Sequence, residues 1–288
     1  METTDKYVPR PGAQLFTQAT GLPQNGTILL AMGATASMAW WPPAFIAALA
    51  KAGYRVIAFD HRDTGRSTLS DPGAPPYDVN DLAGDLVAIL DAYEVPAAHL
   101  VGMSLGGLVS QIVALTHPDR VATVTLFAAE PLNNAYDGEG MPAEMMAHFG
   151  DLGTLDWTSR EAVTAFLLRI AELSAAPGRP FDREAALDRI GRELDRTSNM
   201  QVAFNHAMLA GKIDPGLMAQ DIARPTLVIH GEADPLISVA AARKTAELVA
   251  GARLIVLDNV GHELTPADVQ PLSKAILGFI GEATPVRG

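Results

Sequence analysis

The chain has 288 residues, 48 % of them apolar and 19 % charged, enough to bury a large core and too hydrophobic for a disordered polypeptide. A formal charge of −12 with no basic run excludes a nucleic-acid surface, which needs clustered Lys and Arg. The absence of cysteine excludes disulfides, thiolate metal sites and a cysteine nucleophile.

The amino-terminal METTDKYVPRPGAQ lacks the apolar stretch of a secretory signal, so a cytoplasmic protein is expected. Thr27 to Ala50 carries no charge and is long enough to cross a bilayer. Gly33 and the pair Pro42-Pro43 divide it into a strand, a loop and a helix start, so no membrane span is expected. Strands are predicted at TILLAM (27–32), RVIAFD (55–60), HLVGM (99–103), VATVTLF (121–127), PTLVIH (225–230) and RLIVLD (253–258). Helical patterns fall between them, at 43–52, 80–93, 105–116, 239–250 and 267–280. Near-continuous apolar strands alternating with helices imply an α/β fold, a mostly parallel sheet covered on both faces. Ligands of such sheets bind outside the carboxyl ends of the strands. The alternation breaks over 131–220, where only helical patterns occur, at 141–149, 159–173, 182–196 and 199–210. This segment is expected to be a helical cap over the active edge, with 1–130 and 221–288 forming the core.

Gly102-Met103-Ser104-Leu105-Gly106 matches G-x-S-x-G between a buried strand and the helical run LGGLVSQIVAL. A serine on such a sharp strand-to-helix turn is forced into a strained backbone conformation that lifts its hydroxyl above the sheet. Glycines two residues to either side avoid collisions with the neighbouring strand and helix. The following helix aims its free N–H groups at the site. Ser104 is thus the candidate nucleophile.

A serine hydroxyl needs a base to take its proton. Of seven histidines, His99 starts a strand at the wrong edge and His117 lies about 18 Å of helix away from Ser104. His262, in DNVGHEL after the last strand, stands at the correct edge and in the correct chain order for the base. The acid that orients it should follow a strand and precede the histidine. Asp234, in HGEADPLIS, meets both conditions, and Glu130, just after VATVTLF, is the competing candidate.

Attack by Ser104 would create an oxyanion that needs N–H donors. Leu105 N–H is one candidate, and Ala34 or Gly33, in the loop after TILLAM, the other. The segment Asp60-His61-Arg62-Asp63-Thr64-Gly65-Arg66-Ser67 reads as an ordered loop supporting that turn, with substrate contact as the alternative. Trp41 and Met38 are candidates for a hydrophobic pocket, as are Phe204 and His206 in the helical segment, with His206 equally open to a structural role.

Met32-Gly33-Ala34, DHRDTGRS, GMSLGG, GEADP and Gly261-His262, in this order, resemble the α/β-hydrolase fold family from about Gln14 to Ala129 and from Asp221 onward. Within it the chain is most similar to the aclacinomycin (anthracycline) methylesterases, through the Met-Gly loop, Trp41-Pro42 and the Asp60 to Thr68 segment. The resemblance implies a serine esterase that hydrolyses a methyl ester on a large aromatic polyketide held under the cap. Neither a metal nor an organic cofactor is expected, and the expected partner is a hydrophobic small-molecule ester. The same triad could serve C–C bond hydrolysis, amide cleavage or haloperoxidase-like perhydrolysis, and the fold could serve a non-catalytic receptor. Oligomeric state is not legible in the sequence.

Overall fold

The computed structural model describes residues 2–209 and 213–283. All six predicted strands form: β3 (Thr27–Ala31), β4 (Arg55–Phe59), β5 (Ala98–Met103), β6 (Val121–Phe127), β7 (Thr226–Gly231) and β8 (Arg253–Leu257). Two more precede them, β1 (Thr3–Arg10) and β2 (Ala13–Thr20), giving an eight-stranded sheet of order β1-β2-β4-β3-β5-β6-β7-β8. From β4 to β8 every pairing is parallel, whereas β1–β2 and β2–β4 are antiparallel. Sequence reasoning passes over β1 and β2 because β1 is an edge strand that buries only Val8. It therefore lacks an apolar signal, and its Pro9 is tolerated only at an edge. Pro11-Gly12 joins the two strands, with Gly12 at φ 69° where a side chain would be strained.

Alternate residues of the strands feed opposite faces. Leu29, Leu100, Val124 and Leu126 pack against α2 (Val79–Ala92) and α3 (Leu105–Thr116) through Leu82, Leu86, Ile112 and Val113. Ile28, Leu30, Val101 and Phe127 pack against α1 (Pro43–Lys51) and α8 (Val269–Ala283) through Phe45, Leu49, Ile276 and Phe279. The uncharged stretch 27–50 is split into β3, a 3₁₀ turn at Met38–Trp40 and α1. Among the described residues no helix is long and apolar enough to cross a membrane.

Between β6 and β7 lie α4 (Ala143–Gly150), α5 (Arg160–Ser174), α6 (Arg183–Arg196) and a 3₁₀ helix, Met200–Met208. The helix expected over 199–210 is thus a 3₁₀ helix entered from Asn199, whose side chain caps Gln201 N–H, and residue 210 lies outside the described residues. These helices share a small core of their own, built on Val163, Leu167, Ala186, Ile190 and Met200. After β7 comes α7 (Val239–Leu248).

Candidate active site

β5 ends at Met103 and α3 begins at Leu105, so the chain reverses direction on one residue. Ser104 takes φ 50° and ψ −115°, a conformation that costs a non-glycine residue about 1–3 kcal/mol. The surroundings impose it: Ser104 N–H donates to the Phe127 carbonyl at 2.9 Å, and Leu108 N–H closes on the Ser104 carbonyl at 3.0 Å. The flanking glycines are sterically required. A Cβ on Gly102 would lie 2.2 Å from the Gly106 carbonyl oxygen, and one on Gly106 would lie 2.1 Å from that of Ala31. Gly33 is packed against the serine, since a Cβ there would sit 3.4 Å from the Ser104 Cβ. Ala34 beside it is exposed, and Leu105, the first residue of α3, has an N–H without an intrahelical acceptor.

Asp234 follows β7 and His262 follows β8, at the same carboxyl edge as Ser104. His262 Nδ1–H donates to Asp234 Oδ2 at 2.8 Å. The other oxygen, Oδ1, accepts the N–H groups of Leu236 and Ile237, both at 2.9 Å. Burial alone would raise the Asp234 carboxyl, but hydrogen bonds from His230 and His262, the His262 charge and the Ile237 N–H hold it well below the usual carboxylate range. Glu130, the competing acid, is exposed and accepts the Tyr136 hydroxyl at 2.5 Å, so the imidazole's carboxylate is Asp234. His262 N–H donates to the Ser174 carbonyl at the end of α5 at 2.8 Å. Gly261 makes this approach possible, since a Cβ there would lie 2.4 Å from the same oxygen. Among the described residues neither the Ser104 hydroxyl nor His262 Nε2 has a hydrogen-bond partner, and in ligand-free hydrolases this bond is often long until substrate binds.

His230, at the end of β7, also reaches the acid: its Nε2–H lies 3.3 Å from Asp234 Oδ2 while donating to the Ile237 carbonyl at 2.8 Å. The only signal for it is its place four residues before the acid, at the end of the same strand.

The segment after β4 is the supporting loop expected of it. Asp60 accepts the N–H groups of Met38 and Arg66 and pairs with Arg196 at 2.6 Å. Arg62 forks onto Asp85 at 2.7 and 2.8 Å, and Asp63 accepts from Ser70, Tyr77 and Asn205. Gly65, at φ 54°, has no room for a side chain beside the Asp60 carboxylate.

The four expected substrate contacts, Trp41, Met38, His206 and Phe204, are engaged elsewhere. Trp41 is 1 % exposed and stacks on Phe45 in the core. Together with Met38 it lines a cleft of about 550 Å³ between β2, α1 and α6, which includes none of Ser104, Gly33, Ala34 or His262. His206 is buried with both ring nitrogens committed to main-chain groups, Thr35 N–H and the Arg62 carbonyl, so neither is free for a substrate. Phe204 packs with Trp157 and Phe166 in the aromatic part of the inserted segment. Among the described residues no group of three or more His, Asp or Glu side chains is placed to hold a metal ion.

Burial keeps three histidines neutral. His61 is pushed down from 6.5 to about 3 by burial and by its neighbour His206, His99 to about 4 by burial, and His206 is lowered by burial as well. An unfolded chain binds protons near pH 6.5 that the fold refuses, so this stability is complete above that pH and drains as pH falls toward the folded values. Asp60, Glu193 and Glu263, raised by burial, oppose the loss only where they take up protons themselves. From pH 7 to pH 5 each of His61 and His99 should remove on the order of 2 kcal/mol. Thermal unfolding followed by circular dichroism should show Tm falling by roughly 5–10 °C over that interval, and a flat profile would refute the assignment.

A strained serine on a strand-to-helix turn, with an imidazole–carboxylate pair at the same edge of a largely parallel sheet, defines an α/β-hydrolase. A family model described as the α/β-hydrolase fold matches residues 26–265, and the chain belongs to that family. It is similar to the rhodomycin D methylesterase DnrP of Streptomyces peucetius, 32 % identical over 286 residues that cover 94 % of this chain and 96 % of that protein. A non-heme chloroperoxidase of Streptomyces lividans is 30 % identical over 240 residues, covering 79 % and 82 %. Among solved structures, the enol-lactonase from Burkholderia xenovorans LB400 superposes with a TM-score of 0.75 at 25 % identity, covering 96 % of this chain and 99 % of that one.

Proposed function

We propose that the chain hydrolyses a carboxylic ester of a hydrophobic small molecule through an acyl-enzyme, with Ser104 as nucleophile, His262 as general base and Asp234 as the carboxylate that orients it. The observation that carries this reading is the 2.8 Å bond from His262 to Asp234, at the sheet edge where Ser104 is held at φ 50°. His262 Nε2 takes the hydroxyl proton as Ser104 Oγ adds to the carbonyl carbon. The N–H groups of Leu105 and Ala34, with Gly33 as the alternative to Ala34, face the oxyanion, and each such donor is worth about 3 kcal/mol. The imidazolium returns its proton to the departing alkoxide, and the alcohol leaves. Water, deprotonated by the same imidazole, then releases the acid and restores Ser104.

The substrate class we infer is a methyl ester on a polycyclic aromatic acid. Similarity to the rhodomycin D methylesterase over nearly the whole chain supports it. The chloroperoxidase relative keeps perhydrolysis as the second reading. The test is a comparison of kcat/KM for anthracycline-type methyl esters, p-nitrophenyl acetate, an anilide and a β-diketone, together with peroxyacid formation from acetate and peroxide. The aromatic methyl esters should be cleaved best. Preference for peroxide, the anilide or the diketone would move the assignment to that reaction.

A further inference from the structure

The loop after β3 is held from outside. His61 Nε2–H donates to the Met32 carbonyl at 3.0 Å, and Met38 N–H donates to Asp60 at 2.9 Å, both partners coming from the segment after β4. The other two holds come from the helices inserted between β6 and β7. Thr35 N–H donates to His206 Nδ1 at 3.1 Å. Ser37 donates its N–H at 3.1 Å and its hydroxyl at 2.7 Å to Glu193, a fully buried carboxylate of α6.

His206 has one possible tautomer here. Its Nε2 faces the Arg62 carbonyl at 2.8 Å, and a carbonyl only accepts, so Nε2 carries the proton and Nδ1 presents a lone pair to Thr35. Thr35 itself sits at φ 64°, a left-handed conformation that a β-branched residue keeps only where its surroundings over-determine it. The consequence concerns the peptide between Gly33 and Ala34, whose N–H is Ala34's. The peptide before it is fixed through the Met32 carbonyl by His61, and the peptide after it is fixed through Thr35 N–H by His206. A peptide plane bracketed by two fixed planes has little freedom to turn.

We propose that His206, with Glu193 beside it, is a positioning residue for the oxyanion loop, so that docking of the inserted helices aims the Ala34 N–H at the site above Ser104. The inference rests on the reading of Ser104 as nucleophile and Ala34 as oxyanion donor. It gives the inserted segment a part in the chemical step.

Two substitutions separate the two nitrogens. In His206→Gln the amide nitrogen can keep the bond to the Arg62 carbonyl, but Thr35 N–H loses its acceptor. In His206→Asn the amide oxygen can stand where Nδ1 stands and keep Thr35, while the Arg62 bond is lost. Hydrolysis of p-nitrophenyl acetate is measured with active sites counted by fluorophosphonate titration and Tm recorded for each variant. His206→Gln should lower kcat per titrated site by roughly tenfold to a hundredfold with KM nearly unchanged, and weaken a boronic-acid transition-state analogue in parallel. His206→Asn should recover most of that kcat whatever it does to Tm. Glu193→Ala, an independent release of the same loop, should again lower kcat rather than raise KM. Variants that lose Tm or titratable sites but keep kcat per site would overturn the proposal, as would equal kcat losses in the Gln and Asn variants. Failure of the underlying reading is seen separately, as a wild-type protein that the fluorophosphonate does not label.

Discussion

Asp234→Asn is expected to lower kcat by about 10⁴-fold while leaving the fold and KM close to wild type. The size follows from which atoms the amide can present. Oδ1 accepts two main-chain N–H groups, Leu236 and Ile237, so the asparagine oxygen is drawn to that side. Its NH₂ then replaces Oδ2, where it faces His262 Nδ1 at 2.8 Å and His230 Nε2–H at 3.3 Å. A donor there forces His262 to carry its proton on Nε2, the nitrogen that must be empty to accept from Ser104. Steady-state hydrolysis of p-nitrophenyl acetate, normalised to folded protein, measures the loss. Glu130→Gln serves as the control and should leave kcat unchanged, because that side chain is engaged with Tyr136. A large loss in Glu130→Gln and none in Asp234→Asn would reverse the assignment. Because Asp234 is held ionised far below neutrality, this carboxylate should not contribute to the acid limb of a kcat/KM profile.

Ser104→Ala should be more damaging still, with kcat down by on the order of 10⁶-fold, since nothing else at the edge can form the acyl intermediate. Stability should hold. The hydroxyl has no hydrogen-bond partner among the described residues, and alanine occupies φ 50° with the same strain as serine. Residual turnover would come from the donors of the oxyanion loop acting on water alone.

What can be read without coordinates follows the strength of the local signal. The six strands β3 to β8 are legible because they pair in parallel and appear as Val/Ile/Leu-rich runs, buried on both faces except at the outer strand β8. Their carboxyl ends bring Ser104, Asp234 and His262 to one edge through topology alone. Gly102, Gly106 and Gly261 are legible for the same kind of reason, each facing a backbone atom where no side chain fits. The antiparallel β1–β2 pair is not legible, because its outer strand buries one residue and so carries no pattern. For Trp41 and Met38 the sequence shows residue type but not direction, and an indole after an oxyanion loop can face α1 as well as a substrate. His206 and Glu193 show the deeper difficulty. Their importance comes from reaching residues 35–37 across 171 and 156 positions of chain. No periodicity within a segment reports a contact of that separation.

The central claim is that Ser104 is an activated nucleophile, and covalent labelling tests it most directly. Wild-type protein incubated with a fluorophosphonate should gain one adduct per chain, located by peptide mass spectrometry on Ser104, with esterase activity lost in proportion to labelling. Ser104→Ala should take up none. Full hydrolytic turnover by a protein whose Ser104 stays unmodified, or equal turnover by Ser104→Ala, would contradict the account.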